Sequence, residues 1–197
     1  MKSTGNTGKD LPVVQFDGPH AWATWLDEHH AASSGVWLRI AKKASGTASV
    51  TYDQALEVAL CYGWIDGQKK SYDDASWLQK FTPRGTKSIW SKVNREKVEK
   101  LIARGDMKPA GLAVVEQAKQ DGRWDAAYDS QSSASVPDDF QAALDQHEEA
   151  RAFFATLNSR NRYAILFRIQ TAKKAETRTK RIEQFIQMLA NHELLYP

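Results

Sequence analysis

The spacing of apolar residues changes along this chain, and this change limits the folds that the chain can adopt. In the first half, residues 36–40 combine β-branched side chains with a tryptophan, and residues 77–81 contain two aromatic side chains, which is typical of strands. Beyond residue 137, apolar residues recur at helical spacing, as in Phe153, Phe154 and Leu157. We therefore expect an α+β fold, in which a small antiparallel sheet packed with helices is followed by an all-helical C-terminal segment.

Capping signals mark where helices begin in the α+β region. Pro19 follows Asp17-Gly18 and starts a predicted helix to about residue 32. Thr51 and Gln54 have the spacing of a capping box, which predicts a second helix that Gly63 ends. The first helix has four aromatic or apolar residues on one face, namely Trp22, Trp25, Leu26 and His29.

Composition predicts the domain boundaries. Residues 1–12 contain almost nothing to bury and are predicted to form a disordered tail. Residues 13–129 are predicted to be the α+β core. Residues 130–137, SQSSASVP, have few large apolar groups and end in proline, so they are predicted to be a linker to a helical region at 138–197.

Several function classes lack their signatures in this sequence. Cys61 is the only cysteine in the 197 residues, which excludes an internal disulfide and a CxxC zinc site, and its apolar surroundings predict a buried thiol. There is no HExxH, GxGxxG or GxSxG motif, and no two of the five histidines are spaced i, i+4. We therefore expect no metal and no cofactor.

The chain has no apolar run of the ~18–20 residues that a membrane-spanning helix needs. Its N-terminal sequence also lacks the hydrophobic segment of a secretory signal. These two features predict no membrane span and a cytoplasmic location.

Two neighbouring stretches, residues 61–67 and 81–94, suggest a ligand site. Arg84 and Ser88 come just before a predicted helix, where a guanidinium, a hydroxyl and free backbone N–H groups can hold an anion without a metal. We expect two tryptophans to form apolar walls and Asp66 to orient Arg84 or to accept a hydrogen bond from the ligand. The predicted ligand-binding residues are Trp64, Asp66, Arg84, Ser88, Trp90 and Asn94.

Structural roles for the same residues remain open. Ser88 or Ser91 can cap the helix, Arg84 can pair with Asp66, and tryptophans are common in small cores. An enzymatic alternative assigns Asp66 as general acid or base beside an anion clamp at Arg84.

The small net charge of +3 conceals two segments of opposite charge. Residues 116–149 hold nine acids and two bases, whereas residues 151–181 hold nine bases and one acid. Arg178 and Arg181 lie in line with the apolar face of their helix, where arginines commonly bury their stems and meet a carboxylate. We therefore expect charge pairing within the chain. Nucleic-acid or acidic-partner binding through 151–181 is the less favoured alternative.

The sequence resembles a known bacterial family. CYGWIDG at 61–67, FTPR at 81–84, SIWSKVN at 88–94 and the helical stretch 172–182 are similar to the YdeI/OmpD-associated family, also labelled bacteriocin-protection or OmdA. The resemblance covers residues 16 to about 189. It implies a YjbR/CyaY-like α+β fold and a role in protection against bacteriocins or antimicrobial peptides, with no known reaction. We therefore expect a non-enzymatic binding or stress-resistance factor whose partner is a small anionic ligand or a protein.

Overall fold

The computed structural model describes residues 11–197, and these residues divide into two compact units. The first unit comprises residues 11–88 together with Glu96–Asp121, and the second comprises Ile89–Arg95 together with Gly122–Pro197. Apart from Leu11 and Pro12, the predicted disordered tail lies outside the described residues.

The first unit contains a four-stranded sheet and its helices. Along the chain its elements are β1 (Val13–Val14), α1 (Pro19–His29), β2 (Val36–Ala41), a short 3-10 helix (Lys43–Ser45), α2 (Tyr52–Cys61), β3 (Trp64–Ser71), β4 (Ser76–Pro83) and α4 (Pro109–Gln120). Helix α3 (Lys92–Arg104) begins in the second unit and continues in the first.

The strand order of the sheet is β1-β2-β4-β3. β4 pairs antiparallel with both β2 and β3, whereas the two-residue β1 pairs parallel with β2. The register places Val36 opposite Phe81 and Ile40 opposite Trp77. These side chains share one face of the sheet, because residues directly opposite in a ladder point to the same side. The α+β prediction is confirmed.

The apolar face of α1 forms the centre of this unit's core, as its spacing predicts. Trp22 and Leu26 are fully buried, and the Trp22 indole N–H donates a hydrogen bond to the Ala55 carbonyl oxygen at 3.1 Å. Trp22 also stacks on Trp25, with ring centroids 5.4 Å apart. The start of α2 is likewise confirmed, since Thr51 and Gln54 form both hydrogen bonds of the capping box.

Strand β3 is the one element of the sheet that the sequence pattern misses. Residues 66–75 are polar and read as a connection between a helix and a strand, yet β3 continues to Ser71. Most of β3 is exposed because it lies at the edge of the sheet, and an exposed edge strand needs no apolar alternation. Its backbone pairing with β4 therefore leaves little signal in its side chains.

The second unit is helical beyond residue 137, as predicted. Its helices are α5 (Asp138–Asp145), α6 (Glu148–Thr156), α7 (Ser159–Gln170) and α8 (Ala175–Ala190). Each contributes buried side chains to one apolar cluster, in which the ring of Phe140 meets that of Phe154 edge to face at 5.4 Å. The members of this cluster are Phe140, Leu144, Ala150, Phe154, Ile165, Leu166, Ile169, Phe185, Ile186 and Leu189.

Candidate functional site

The predicted site residue Trp64 lies in the core of the first unit. It is 1% exposed, and its indole N–H donates to the His30 carbonyl oxygen at 3.2 Å. Its ring meets those of Trp22 and Trp25 edge to face, at centroid distances of 6.3 and 6.1 Å. Within this unit, Trp64 therefore contributes to packing.

Asp66 and Arg84 lie near the same end of the β3–β4 hairpin as Trp64. The Asp66 carboxylate accepts a hydrogen bond from the Tyr52 hydroxyl at 2.8 Å. Arg84 is 7% exposed, and its backbone N–H donates to the Gly63 carbonyl oxygen at 2.9 Å. The structure thus brings Trp64, Asp66 and Arg84 to neighbouring positions, because the register pairs Trp64 with Pro83, next to Arg84.

Ser88 closes a turn, in which its hydroxyl accepts the Gly85 N–H at 3.1 Å. Ser91 has the capping role at the start of α3, since its hydroxyl accepts the Asn94 N–H at 3.2 Å.

The remaining predicted residues, Trp90 and Asn94, belong to the second unit. Trp90 is 2% exposed and meets Trp124 edge to face at 4.8 Å. The six predicted residues are thus divided between the two units, four in the first and two in the second. A single ligand site formed by all six stays a prediction.

A pocket of about 430 Å³ lies on α7 in the second unit. Arg160, Tyr163, Phe167 and Arg168 line it at helical spacing, and Tyr196 from the C-terminal segment adds a further wall. We call this the arginine–tyrosine pocket. Its full lining is Gln131, Arg160, Tyr163, Ala164, Phe167, Arg168 and Tyr196.

Both arginines of the pocket contact the ring of Tyr196. The guanidinium carbon of Arg160 lies 4.4 Å from the ring centroid, and that of Arg168 lies 5.7 Å from it. Arg168 also donates to the Tyr196 hydroxyl at 3.2 Å and to the Ala164 carbonyl at 3.1 Å. Among residues 11–197, no carboxylate lies within salt-bridge distance of Arg160 or Arg168. Both positive charges of the pocket therefore lack an acidic partner in the described chain.

A buried asparagine holds the Tyr196 wall in place. The Asn161 side chain is 1% exposed and forms two hydrogen bonds with the backbone of Tyr196. Its amide group donates to the Tyr196 carbonyl oxygen, and its oxygen accepts the Tyr196 N–H, each at 2.9 Å. The pair fixes the C-terminal segment against α7.

Tyr163, another lining residue of the pocket, is held through Asp129. The Tyr163 hydroxyl donates to the Asp129 carbonyl oxygen at 3.0 Å, while the Asp129 carboxylate accepts from Lys92 at 2.6 Å and from Gln170 at 2.8 Å. Burial alone would raise the pKa of Asp129, but the hydrogen bonds from Lys92 and Gln170 and the charge of Lys92 lower it below its ordinary value. Burial and the neighbouring Tyr128 and Asp129 raise the pKa of Tyr163, so its hydroxyl remains a donor at neutral pH.

Two family models match the chain. Residues 14–114, just over half of its length, match the family described as a domain of unknown function, DUF8412. The chain belongs to the DUF8412 family. Residues 133–192 match the family described as "Bacteriocin-protection, YdeI or OmpD-Associated", which supports the predicted resemblance for this segment. No curated protein and no solved structure matches the chain.

The two matches cover different parts of the candidate sites. The DUF8412 match includes all six residues predicted from the sequence. The bacteriocin-protection match includes the whole of α7 and therefore Arg160 and Arg168, whereas Gln131 and Tyr196 lie just outside it.

The sequence does not predict this pocket. Arg160 and Arg168 belong to the basic stretch 151–181, and Tyr196 belongs to none of the predicted sites. The available signal was the spacing of Arg160, Tyr163, Phe167 and Arg168, which places two cations and two aromatic rings on one helix face.

Charge pairing within the chain is confirmed for Arg178. Its guanidinium binds both carboxylate oxygens of Asp139, at 2.6 and 2.7 Å, and thereby links the basic stretch to the acidic one. The Arg178 guanidinium lowers the pKa of Asp139 and holds it ionised. Arg181 donates instead to the Arg168 carbonyl oxygen.

The single cysteine of the sequence is the last residue of α2. Cys61 is buried as predicted, and burial, followed by the charge of Asp106, raises its pKa to about 11. Within residues 11–197, no three His, Cys, Asp or Glu side chains form a group that could hold a metal ion. Of the helices described, none combines the length and the apolar character that a membrane crossing requires.

Proposed function

We propose that this protein is a non-enzymatic binding factor whose second unit takes up an anionic ligand in the arginine–tyrosine pocket. The observation that carries the proposal is the pair of guanidinium groups at this pocket, with no carboxylate of residues 11–197 within salt-bridge distance of either. A carboxylate or phosphate is the natural complement of such groups, because the planar guanidinium forms paired hydrogen bonds with it.

The rest of the pocket favours a ligand with an apolar or aromatic body. Tyr163, Phe167 and Tyr196 contribute rings, and a volume of about 430 Å³ lies within the usual range for small-molecule sites. Arg160 and Arg168 are eight residues apart on α7, which corresponds to about 12 Å of helix rise. A ligand can therefore place one anionic group near either arginine and its body against the rings.

The match of residues 133–192 to the bacteriocin-protection family supports a binding role, and we propose on this basis a part in resistance to bacteriocins or antimicrobial peptides. Cytoplasmic location and a YjbR/CyaY-like superfamily fold remain predictions of the sequence and the resemblance. The six-residue ligand site around Arg84 and the domain boundaries after residues 12, 129 and 137 also remain predictions from the sequence.

The enzymatic alternative depends on Asp66. Its carboxylate is engaged by the Tyr52 hydroxyl, from which it accepts a hydrogen bond at 2.8 Å. We therefore favour binding over catalysis. An activity that Asp66→Asn abolishes while leaving the protein folded would reverse this preference.

The test is a thermal-shift screen followed by calorimetric titration. Phenyl phosphate and benzoate carry an anionic group and a ring, whereas inorganic phosphate and acetate carry the anionic group alone. We expect the first two to raise the melting temperature more than the last two. Replacing the arginine that holds the anionic group, by Arg160→Gln or Arg168→Gln, should weaken binding about tenfold, as expected of a lost charge-assisted hydrogen bond.

Arg162→Gln is the matched control, because it removes the same charge from the same helix. The Arg162 guanidinium lies over the ring of Phe154, at 4.4 Å, and does not line the pocket. If Arg162→Gln weakened ligand binding as much as Arg160→Gln, the loss of net positive charge would explain both effects. This result would contradict the proposal.

A further inference from the structure

A second pocket, of about 400 Å³, lies in the first unit between the end of β2 and the start of α2. Trp77 and Tyr52 form its aromatic wall, with ring centroids 6.1 Å apart, and Ile40 and Ala41 add apolar surface. The remaining lining residues are polar, namely Lys42, Lys43, Thr47, Ser49 and Thr51.

The aromatic wall of this pocket is fixed by its neighbours. The Lys69 ammonium lies over the ring of Trp77, 4.1 Å from its centroid. The Tyr52 hydroxyl donates to Asp66 at 2.8 Å, which sets the direction of the phenol ring. A planar ligand group would therefore meet rings whose orientation is already determined, and these rings would lose less conformational entropy on binding than mobile side chains.

Some polar groups of the pocket are already engaged, and others are not. The Lys42 ammonium donates to the carbonyl oxygens of Asp73 and Asp74, and the Ser49 hydroxyl donates to the Val50 carbonyl. By contrast, no carboxylate of residues 11–197 lies within salt-bridge distance of the exposed Lys43 ammonium. The Lys42 ammonium likewise has no carboxylate of the described residues within this distance, but it is held by the two carbonyl oxygens, so Lys43 is the cation that a ligand can engage.

Two threonines of the pocket, Thr47 and Thr51, lie between Lys43 and Tyr52 in the sequence. Thr51 Oγ1 accepts the Gln54 N–H in the capping box and keeps its own proton for donation. Thr47 lines the pocket with an exposed side chain. Both can bond to hydroxyl groups of a ligand.

We propose that this first-unit pocket binds a nucleoside phosphate, with the base against Trp77 and Tyr52, the sugar hydroxyls at Thr47 and Thr51, and the phosphate at Lys43. Three complementary features carry the assignment: an aromatic face for a planar base, hydroxyls for a sugar, and an ammonium for a phosphate. Its volume of about 400 Å³ is that of a small-ligand site. The proposal does not depend on the arginine–tyrosine pocket, whose lining residues all belong to the other unit.

The experiment is calorimetric titration of the full chain with adenosine monophosphate. Saturable binding is expected, and Lys43→Gln should weaken it about tenfold through the lost phosphate contact. Trp77→Leu should weaken it by about five- to 150-fold, because base stacking on an aromatic ring contributes roughly 1–3 kcal/mol. Circular dichroism establishes whether the Trp77→Leu variant is folded. If that variant is unfolded, the affinity of the Lys43→Gln variant alone tests the proposal.

Two controls locate the site. Lys100→Gln removes an exposed charge from α3 in the same unit and should leave adenosine monophosphate binding unchanged. Arg160→Gln should also leave it unchanged, so failure of the second-unit pocket and failure of this one are distinguishable. Weakening by Lys43→Gln and Lys100→Gln alike would overturn the proposal.

Further probes separate the ligand classes. An eight-nucleotide oligoadenylate that binds more tightly than adenosine monophosphate and with steeper salt dependence would identify a single strand as the source of the nucleoside phosphate. Equal affinity for the oligoadenylate and adenosine monophosphate would identify the free nucleotide as the ligand. Either result would support the proposed site. Equally tight binding of indole-3-acetate or inorganic phosphate, or no binding of adenosine monophosphate at millimolar concentration, would contradict it.

Discussion

At the scale of single residues, Asp129 shows how one carboxylate can organise a pocket that it does not line. Its side chain joins Lys92 to Gln170, and its backbone oxygen receives the Tyr163 hydroxyl. Its backbone N–H donates to the Gln170 side-chain oxygen at 3.1 Å, so the two residues are joined twice. The orientation of Tyr163 in the arginine–tyrosine pocket therefore depends on the Asp129 segment.

This carboxylate should make stability depend on pH. The folded-state pKa of Asp129 lies below the ordinary value of 3.8, so its contribution is complete above about pH 4 and is lost as the pH falls through the folded-state pKa. We expect Asp129→Asn to lower the free energy of unfolding at pH 7 by about 1–3 kcal/mol. The difference from the unmodified protein should shrink below pH 4, as measured by urea denaturation at several pH values.

Asp125→Asn is the control, because Asp125 is exposed and the substitution changes the charge equally. Its effect at pH 7 should stay within about 0.5 kcal/mol. A difference between Asp129→Asn and the unmodified protein that remained constant from pH 7 to pH 3 would contradict the ionic account.

At the scale of elements, the first unit depends on a close approach of α4 to the end of α2. The Cys61 carbonyl oxygen accepts the Lys108 N–H at 3.0 Å just before α4 begins. A Cβ atom on Gly111 would lie 2.2 Å from that oxygen and 2.8 Å from the Cys61 carbonyl carbon. Gly63, which has a φ of 74°, turns the chain sharply after α2 on the same side.

Gly111→Ala should therefore destabilise the protein, although alanine favours a helix over glycine by roughly 1 kcal/mol. Contact with backbone atoms of Cys61 cannot be relieved by a side-chain rotation, and overpacking of this kind costs about 1–3 kcal/mol or more. Thermal unfolding measures the effect. Leu112→Ala, at a 40% exposed position of the same helix, should change stability much less, and a stabilising Gly111→Ala would show that α4 can move away.

At the scale of the whole molecule, the small net charge is the sum of segments that compensate each other at specific contacts. Arg178 and Asp139 form one such contact, and Arg151 lies 3.9 Å from Asp145 in another. These pairs reduce the charge that residues 151–181 can offer to phosphates. Arg160 and Arg168 are among the bases of this stretch that have no carboxylate of residues 11–197 within salt-bridge distance, and both lie at one pocket.

We expect the protein not to shift duplex DNA in a gel at physiological salt. Duplex binding needs several phosphate contacts along an extended basic face, and paired arginines supply few of them. A shift that weakens steeply with salt, and that Lys173→Gln together with Lys174→Gln removes, would favour the nucleic-acid alternative. Both lysines are exposed, so the double variant should remain folded.

Local signals in the sequence were sufficient for much of the fold. Helix α1, strand β2, strand β4 and the start of α2 follow from apolar spacing, proline and a capping box, which act within a few residues. The helices beyond residue 137 follow in the same way. The candidate sites were less predictable, because the sequence placed Trp64 and Arg84 at neighbouring positions but could not show that Trp64 is enclosed by Trp22 and Trp25.

The sequence by itself determined the fold class, the starts of α1 and α2 and the single buried thiol, since each depends on neighbouring residues. Only the tertiary structure decided that polar β3 is a strand and that the C-terminal Tyr196 completes a pocket on α7. Asn161 and Tyr196 are 35 residues apart, and their hydrogen bonds form only when the chain folds back. Such long-range contacts leave no periodic pattern in a sequence, because the partners meet through packing and not through spacing.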